Sequence, residues 1–407
     1  MKRKHYSLIV CSLPLLCLGV ISLFNFYIDP YQIFSENRDA VYRDKPALHA
    51  NMRMHKAHQV SLQKPNALIL GTSKAIQGIP TQHSFFNDKR VYNLAVPLAT
   101  MNALTYLLRH AQDNHPLSSV VLALDFLSFN TRARTDGPAA GFQTSRLDGH
   151  EESSKYYWQD YLSALTSMDA LRASFRNNEG HRVLTGLGGR EDAEIRSRLK
   201  DGGHRSNTIK IEEFFTNAVY LPKPHRKFSF TTPKESSLFW YEQFMRSVYQ
   251  NDIPTQLLIS PNHARLNELI YQAGLWPQFE QWKRRLVAIN ELVAKEFDKE
   301  ILTLWDFSMP GTITTEAFPE AGDELSQMKY YYEAIHFNQT TGSLILDRLA
   351  KRSSIDKTDT TEPFGIELDA NSIDQTLATI NERQSDFRKR YSDYVIELRQ
   401  MIDGNQE

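Results

Sequence analysis

Five short apolar runs constrain this chain more than any other feature of its sequence. They are Asn66-Ala-Leu-Ile-Leu-Gly71, Arg90-Val-Tyr-Asn-Leu-Ala-Val96, Ser119-Val-Val-Leu-Ala-Leu-Asp125, Thr255-Gln-Leu-Leu-Ile-Ser260 and Ile301-Leu-Thr-Leu-Trp305. They are rich in Val, Ile and Leu and scarcely alternate, as strands buried on both faces do. Helical stretches at Met101–Gln112, Glu235–Gln250 and Phe279–Phe297 fall between them, and Leu344–Leu349 lies in a last helix. Alternating strands and helices predict an α/β fold with a parallel sheet covered on both sides. The interval 130–232 breaks the rhythm with Gly-Gly pairs, charges and aromatic residues, and reads as an insertion that frames a cleft.

The N-terminus bears on location. After the basic Met1-Lys2-Arg3-Lys4-His5, the run Leu8–Ile28 is uncharged and almost wholly apolar. That is long enough for one transmembrane helix. The basic flank would stay inside, leaving the rest of the chain on the outer side of a single-pass inner-membrane anchor. A cleaved signal peptide is the rival, although Phe24-Asn25-Phe26-Tyr27 offers no small residues for a cut. A buried core helix is the third reading. Asp29–Gln63 is polar and reads as a stalk leading into the domain at 64–355.

Lys plus Arg is 47 and Asp plus Glu is 48, so no global field draws in nucleic acid. The cysteines, Cys11 and Cys17, both precede the globular region, which therefore has no disulfide, thiolate nucleophile or cysteine-held metal. No cofactor motif stands out. At the other end, Ile373, Leu377, Ile380, Gln384, Phe387, Tyr391, Tyr394, Leu398 and Met401 repeat with 4-3 spacing in a helical tail at 356–407. Such a stripe packs on its own domain or pairs with a partner helix.

Two sites carry chemistry. Gly71-Thr72-Ser73 follows the first strand run, where open parallel sheets bind ligands. A serine in a sharp strand-to-helix turn exposes its hydroxyl, and nearby backbone N–H groups face a developing oxyanion. The bland alternative is a helix cap by Thr72 or Ser73. Glu333-Ala-Ile-His336 follows the last run; three apart on one turn, the glutamate reaches the imidazole and orients it as a base. Both would emerge on one rim of the sheet. His263 belongs to the same rim, as substrate contact, base or structural residue. Arg53, His55, Lys56 and His58 form a basic cluster that would hold an anionic group or remain a solvated face. Trp282-Lys283-Arg284-Arg285 reads as amphipathic surface.

These blocks, with Asn93-Leu-Ala-Val96, Asp29-Pro-Tyr-Gln-Ile-Phe34, Leu124-Asp-Phe-Leu-Ser-Phe129 and Ile259-Ser-Pro-Asn-His263, make the chain resemble the SGNH, or GDSL-type, hydrolase superfamily. The resemblance is strongest to membrane-anchored bacterial members, the alginate O-acetylation accessory proteins and teichoic acid D-alanyl transfer proteins. It implies a flavodoxin-like three-layer sheet with Ser73 as nucleophile, His336 as base and Glu333 as its orienter. Glu333 stands where the superfamily usually has aspartate. Pro97-Leu98-Ala99 occupies the stretch of the oxyanion glycine, leaving the Leu98 or Ala99 backbone as donor. Asp125 stands where an asparagine is expected, with Asn130 as a nearby substitute. The resemblance further implies acyl transfer to an exported polysaccharide in the periplasm or outside the cell, with a multispan membrane-bound O-acyltransferase as acyl supplier. A carbohydrate esterase and a non-catalytic scaffold of a polysaccharide-modifying complex are the alternatives.

Overall fold

The structure, a computed structural model, describes residues 2–36, 45, 47–130, 152–176, 184–190, 192–199, 203–221, 228–230, 237–320, 322–351, 362 and 364–404. Of residues 2–11, 49, 152–156 and 198, the backbone alone is described. The strands are β1 (Ala67–Leu70), β2 (Val91–Asn93), β3 (Ser119–Leu124), β4 (Thr255–Ile259), β5 (Leu304–Asp306) and β6 (Ile366–Leu368). The main helices are α1 (Lys2–Ile28), α2 (Met52–Gln63), α3 (Ser73–Gly78), α4 (Met101–Asn114), α5 (Glu152–Thr166), α6 (Met168–Phe175) and α7 (Asp192–Arg198). They continue with α8 (Gly203–Phe214), α9 (Ser237–Gln250), α10 (Ala264–Gln272), α11 (Trp276–Glu296), α12 (Gln339–Leu349), α13 (Ile373–Arg390) and α14 (Ser392–Asp403).

The chain divides into two compact units. The larger, Pro65–Arg134 with Gly188–Glu407, holds the sheet in the order β2-β1-β3-β4-β5-β6. The first five strands are parallel and β6 is an antiparallel edge on β5. The expected α/β architecture is therefore present. Every residue of β1, β2 and β3 is buried, which explains why these segments read as unbroken apolar runs. Helices α4, α9 and α11 pack side by side, and α3 packs on α12. The order reverses between β1 and its neighbours β2 and β3, so a crevice opens beyond the carboxyl ends of those strands.

The tail is two helices, not one. The chain breaks at Tyr391 (φ −117°, ψ 52°), and α13 and α14 pack on α10 within this unit. Up to Phe387 the buried residues follow the 4-3 stripe; beyond the break Val395, Leu398 and Ile402 are buried, not Tyr394 and Met401. Gln384 donates to Ala264 O (3.1 Å) and Glu268 Oε2 (3.0 Å), so the polar member of the stripe is used against α10.

The smaller unit, Met1–Lys64 with Thr135–Leu187, packs α1 against α5 and α6. Among the described residues no helix is long and apolar enough to cross a membrane. The interval that read as a stalk is folded over its described residues, 29–36 and 47–63. The Asp29 carboxylate accepts from the N–H groups of Ile33 (2.9 Å), Phe34 and Ser35, and Lys45 Nζ donates to the carbonyls of Ile28 and Asp29 at the end of α1. The basic cluster on α2 is not a solvated face either. His55 faces the carbonyls of Tyr31 and Gln32 and is depressed by burial to a pKa of about 3; His58 pairs with Asp160 (3.1 Å). Lys56 is buried and Arg53 half-buried. Polar residues fold here because each finds a partner, which hydropathy does not register.

Candidate active site

The site starts from the turn after β1. A Cβ on Gly71 would lie 2.9 Å from Ala75 Cβ and 3.0 Å from Ala123 O, so only glycine lets the chain turn this tightly against β3. Thr72 caps α3, its Oγ1 accepting from Lys74 N, and Ser73 opens the helix half-buried. Asn93, at the end of β2, donates to Ala75 O (2.9 Å) and pins α3 from the side. At the far end of α3, the Gly78 position leaves room for the Phe337 ring, and Gly342 of α12 sits against Gly78 O.

His336 comes from the other end of the unit. The segment 332–336 is a loop closed by an antiparallel bridge between Tyr331 and Phe337, not the helical turn expected. Asn338 then caps α12 by accepting from Thr340 and Thr341 N, so the helix begins only after the histidine. Within the loop His336 Nδ1 is hydrogen-bonded to Glu333 Oε1, and Glu333 Oε2 accepts from the Ile335 N–H (2.6 Å) and the His336 N–H (3.3 Å). The additional methylene of glutamate lets one oxygen hold the backbone while the other holds the ring. A carboxylate on Nδ1 fixes that nitrogen as the proton carrier and leaves Nε2 as acceptor. Nε2 faces Ser73 Oγ at 2.8 Å. The structure thus brings Ser73, His336 and Glu333 into one hydrogen-bonded line, in which serine O–H donates to imidazole and imidazole N–H to carboxylate.

The other residues singled out in the sequence are placed as follows. Asp125 lies beside the turn: it accepts from Thr72 Oγ1 (3.2 Å) and pairs with Lys74 Nζ (3.1 Å). Val96 N donates to Gly71 O, which sets Pro97–Ala99 alongside the serine turn. Ala99 commits its N–H to Val96 O, while the N–H groups of Leu98 and Ser73 take no partner among the described residues. Leu98 has φ +51°, a left-handed conformation costing a side-chain-bearing residue roughly 1–2 kcal/mol. Asn130 donates to Val219 O (3.1 Å) and follows the single-turn helix Phe126–Phe129. His263 is fully buried: Nδ1 accepts from Arg265 N as the cap of α10, and Nε2 donates to Glu316 O (2.7 Å). Burial depresses it to a pKa of about 4, so it is a neutral structural residue. Arg53 belongs to the smaller unit. Trp282 and Lys283 are buried, with Lys283 on Asp306 (2.6 Å), whereas Arg284 and Arg285 are exposed as expected, Arg284 paired with Asp374.

Sequence reasoning missed the braces. Lys74 Nζ also donates to Asn262 Oδ1 (2.6 Å), which ties the turn after β1 to the end of β4. A lysine directly after the serine was the available signal. His204 Nδ1 donates to Tyr332 O (2.7 Å) and its Nε2 accepts from Met328 N, while Asp192 accepts from the Tyr332 hydroxyl (2.5 Å). Both hold the histidine loop from α7 and α8, and nothing local in sequence announces them. Among the described residues no cluster of three or more His, Cys, Asp or Glu is placed to hold a metal ion. No protein-family model and no curated protein matches the chain.

Proposed function

We propose that the larger unit is an SGNH-like, flavodoxin-like domain that transfers an acyl group, acetyl in the simplest case, through an ester on Ser73. The Ser73–His336–Glu333 line carries this reading. His336 Nε2 takes the hydroxyl proton as Oγ bonds to the acyl carbon of the donor, and returns it to the leaving oxygen as the donor ester breaks. A second hydroxyl then gives its proton to Nε2 and attacks the Ser73 ester; the Oγ–acyl bond breaks, His336 returns that proton to Ser73 Oγ, and the acceptor leaves with the acyl group. Glu333 holds the imidazole and balances its positive charge in both steps. The Ser73 N–H and the Leu98 N–H are the proposed oxyanion donors.

The acceptor proposed is a hydroxyl of an exported polysaccharide, with a multispan membrane-bound O-acyltransferase as acyl supplier. Helix α1 is the anchor to the inner membrane that keeps the domain near that supplier on the outer side. Water as acceptor gives an esterase with the same residues, and acceptor-dependent product separates the two.

The test is acyl capture by the full-length protein with p-nitrophenyl acetate, read by intact mass and peptide mapping. One acetyl group on Ser73, absent in Ser73→Ala and strongly reduced in His336→Ala, is expected. Folded protein that captures no acetyl group, or captures it equally in Ser73→Ala, sinks the proposal.

A further inference from the structure

The smaller unit carries apolar side chains that its own fold leaves in the open. From Ser12 to Val20 every residue of α1 is exposed, on all sides of the helix, with Leu13, Leu15, Leu16, Leu18 and Val20 among them. Cover begins directly after: Ile21 and Ser22 are half-buried, Asn25 is buried, donating to Leu165 O (2.9 Å) and accepting from Ser174 Oγ (2.8 Å), and Phe24 meets the Phe175 ring at 5.1 Å. Among the described residues, helices α5 and α6 therefore clasp α1 toward its carboxyl end. Trp158 and Leu162 of α5 stand four apart, and Met168 and Phe175 of α6 stand two turns apart, Phe175 at the edge that meets Phe24; all four are more than half exposed. Arg172 and Arg176 lie exposed between and beside them on α6.

We propose that this α5–α6 pair is a lipid-contacting collar. Its outer face lies in the headgroup and upper acyl region of the bilayer that α1 enters, with Trp158, Leu162, Met168 and Phe175 inserted and Arg172 and Arg176 at phosphate level. The inference rests on the reading of α1 as an anchor and extends it. A protein partner or a second copy covers one stripe of a helix, whereas α1 is apolar all round, and only a lipid phase covers every side. From Leu8 to Ile28 the uncharged run spans about 30 Å at 1.5 Å per residue, the thickness of a hydrocarbon core. The collar meets it at Phe24 and Asn25, about one turn from its outer end. An indole, a phenyl ring and arginines mixed with aliphatic side chains at that level match the interfacial zone.

The full-length protein, with Cys11→Ser and Cys17→Ser, is reconstituted in phosphatidylethanolamine–phosphatidylglycerol vesicles. A single environment-sensitive fluorophore is placed at Leu16→Cys, Trp158→Cys, Phe175→Cys or, as an aqueous control, the exposed Leu325→Cys. Quenching by doxyl-labelled lipid and by aqueous iodide is then read at each site. The expected result is several-fold stronger lipid quenching than at Leu325 for Leu16, Trp158 and Phe175, with the last two shallower than Leu16. Lipid quenching at Leu16 with iodide access at both Trp158 and Phe175 overturns the collar and leaves the anchor. Iodide access at Leu16 overturns the anchor; lipid quenching at Trp158 and Phe175 would then still support a collar on the membrane surface. Shielding from both quenchers at Trp158 and Phe175 means that protein covers this face and overturns the proposal.

Discussion

At the scale of single residues, the candidate site is a proton path with a braced floor. Replacing Glu333 by Gln keeps an oxygen and the shape but removes the charge that balances the imidazolium. Acyl capture is expected to slow by roughly 10²–10⁴-fold, measured as the adduct formation rate in stopped samples. The floor is the buried Lys74, held by Asp125 and Asn262. Lys74→Met strands the buried Asp125 carboxylate and should cost about 3–5 kcal/mol in urea unfolding. The double variant Lys74→Met with Asp125→Leu should recover much of that loss, because no charge is left alone. The Ser73 and His336 positions were legible in sequence, since a small-residue turn after a buried strand and a spaced acid–histidine pair are local patterns. The Lys74 brace was not, because its partners lie at the ends of two other strands.

Between elements, two close approaches fix the geometry. A methyl on Gly342 would fall 1.8 Å from Gly78 O, forcing α12 away from α3. Gly342→Ala should therefore reduce acyl capture by more than an order of magnitude, with only modest loss of helical circular dichroism. Unchanged capture would mean that the serine and histidine elements are positioned independently. In the sheet, Leu122 of β3 is fully buried, and Leu122→Ala should cost about 2–5 kcal/mol by denaturant titration. The first four parallel strands were readable because burial on both faces writes an apolar run; the fifth run, 301–305, began three residues early, since β5 is Leu304–Asp306 and Ile301 and Thr303 are exposed. The sixth was not: Ile366-Glu-Leu368 is three residues at an edge, with Glu367 exposed and an antiparallel partner. The 29–63 interval, whose described residues are folded, was misread for the opposite reason. Its polar side chains are buried through hydrogen bonds, and its solvent-like composition hides that.

For the whole molecule, acid is the informative variable. His263 is neutral in the folded state with a pKa of about 4, against an unfolded value near 6.5. Its folded value is depressed, so its contribution is complete above about pH 6.5 and is lost as pH falls towards 4, by on the order of 3 kcal/mol. A urea midpoint that falls over that window in wild type, and less steeply in His263→Asn, checks this; asparagine caps α10 without titrating. His55 acts in the same direction in the smaller unit, down to about pH 3.

One consequence concerns time. Ser73 and its base are 263 positions apart in the chain. At roughly 5–20 residues per second, a ribosome adds His336 about 10–50 s after Ser73. On the proposed chemistry the serine has no base throughout that interval, and an emerging chain would be inert toward any activated acyl donor it meets. Reactivity would switch on only when the last parallel strand and the loop beyond it have joined the sheet, so the chain's order of synthesis would guard the proposed nucleophile.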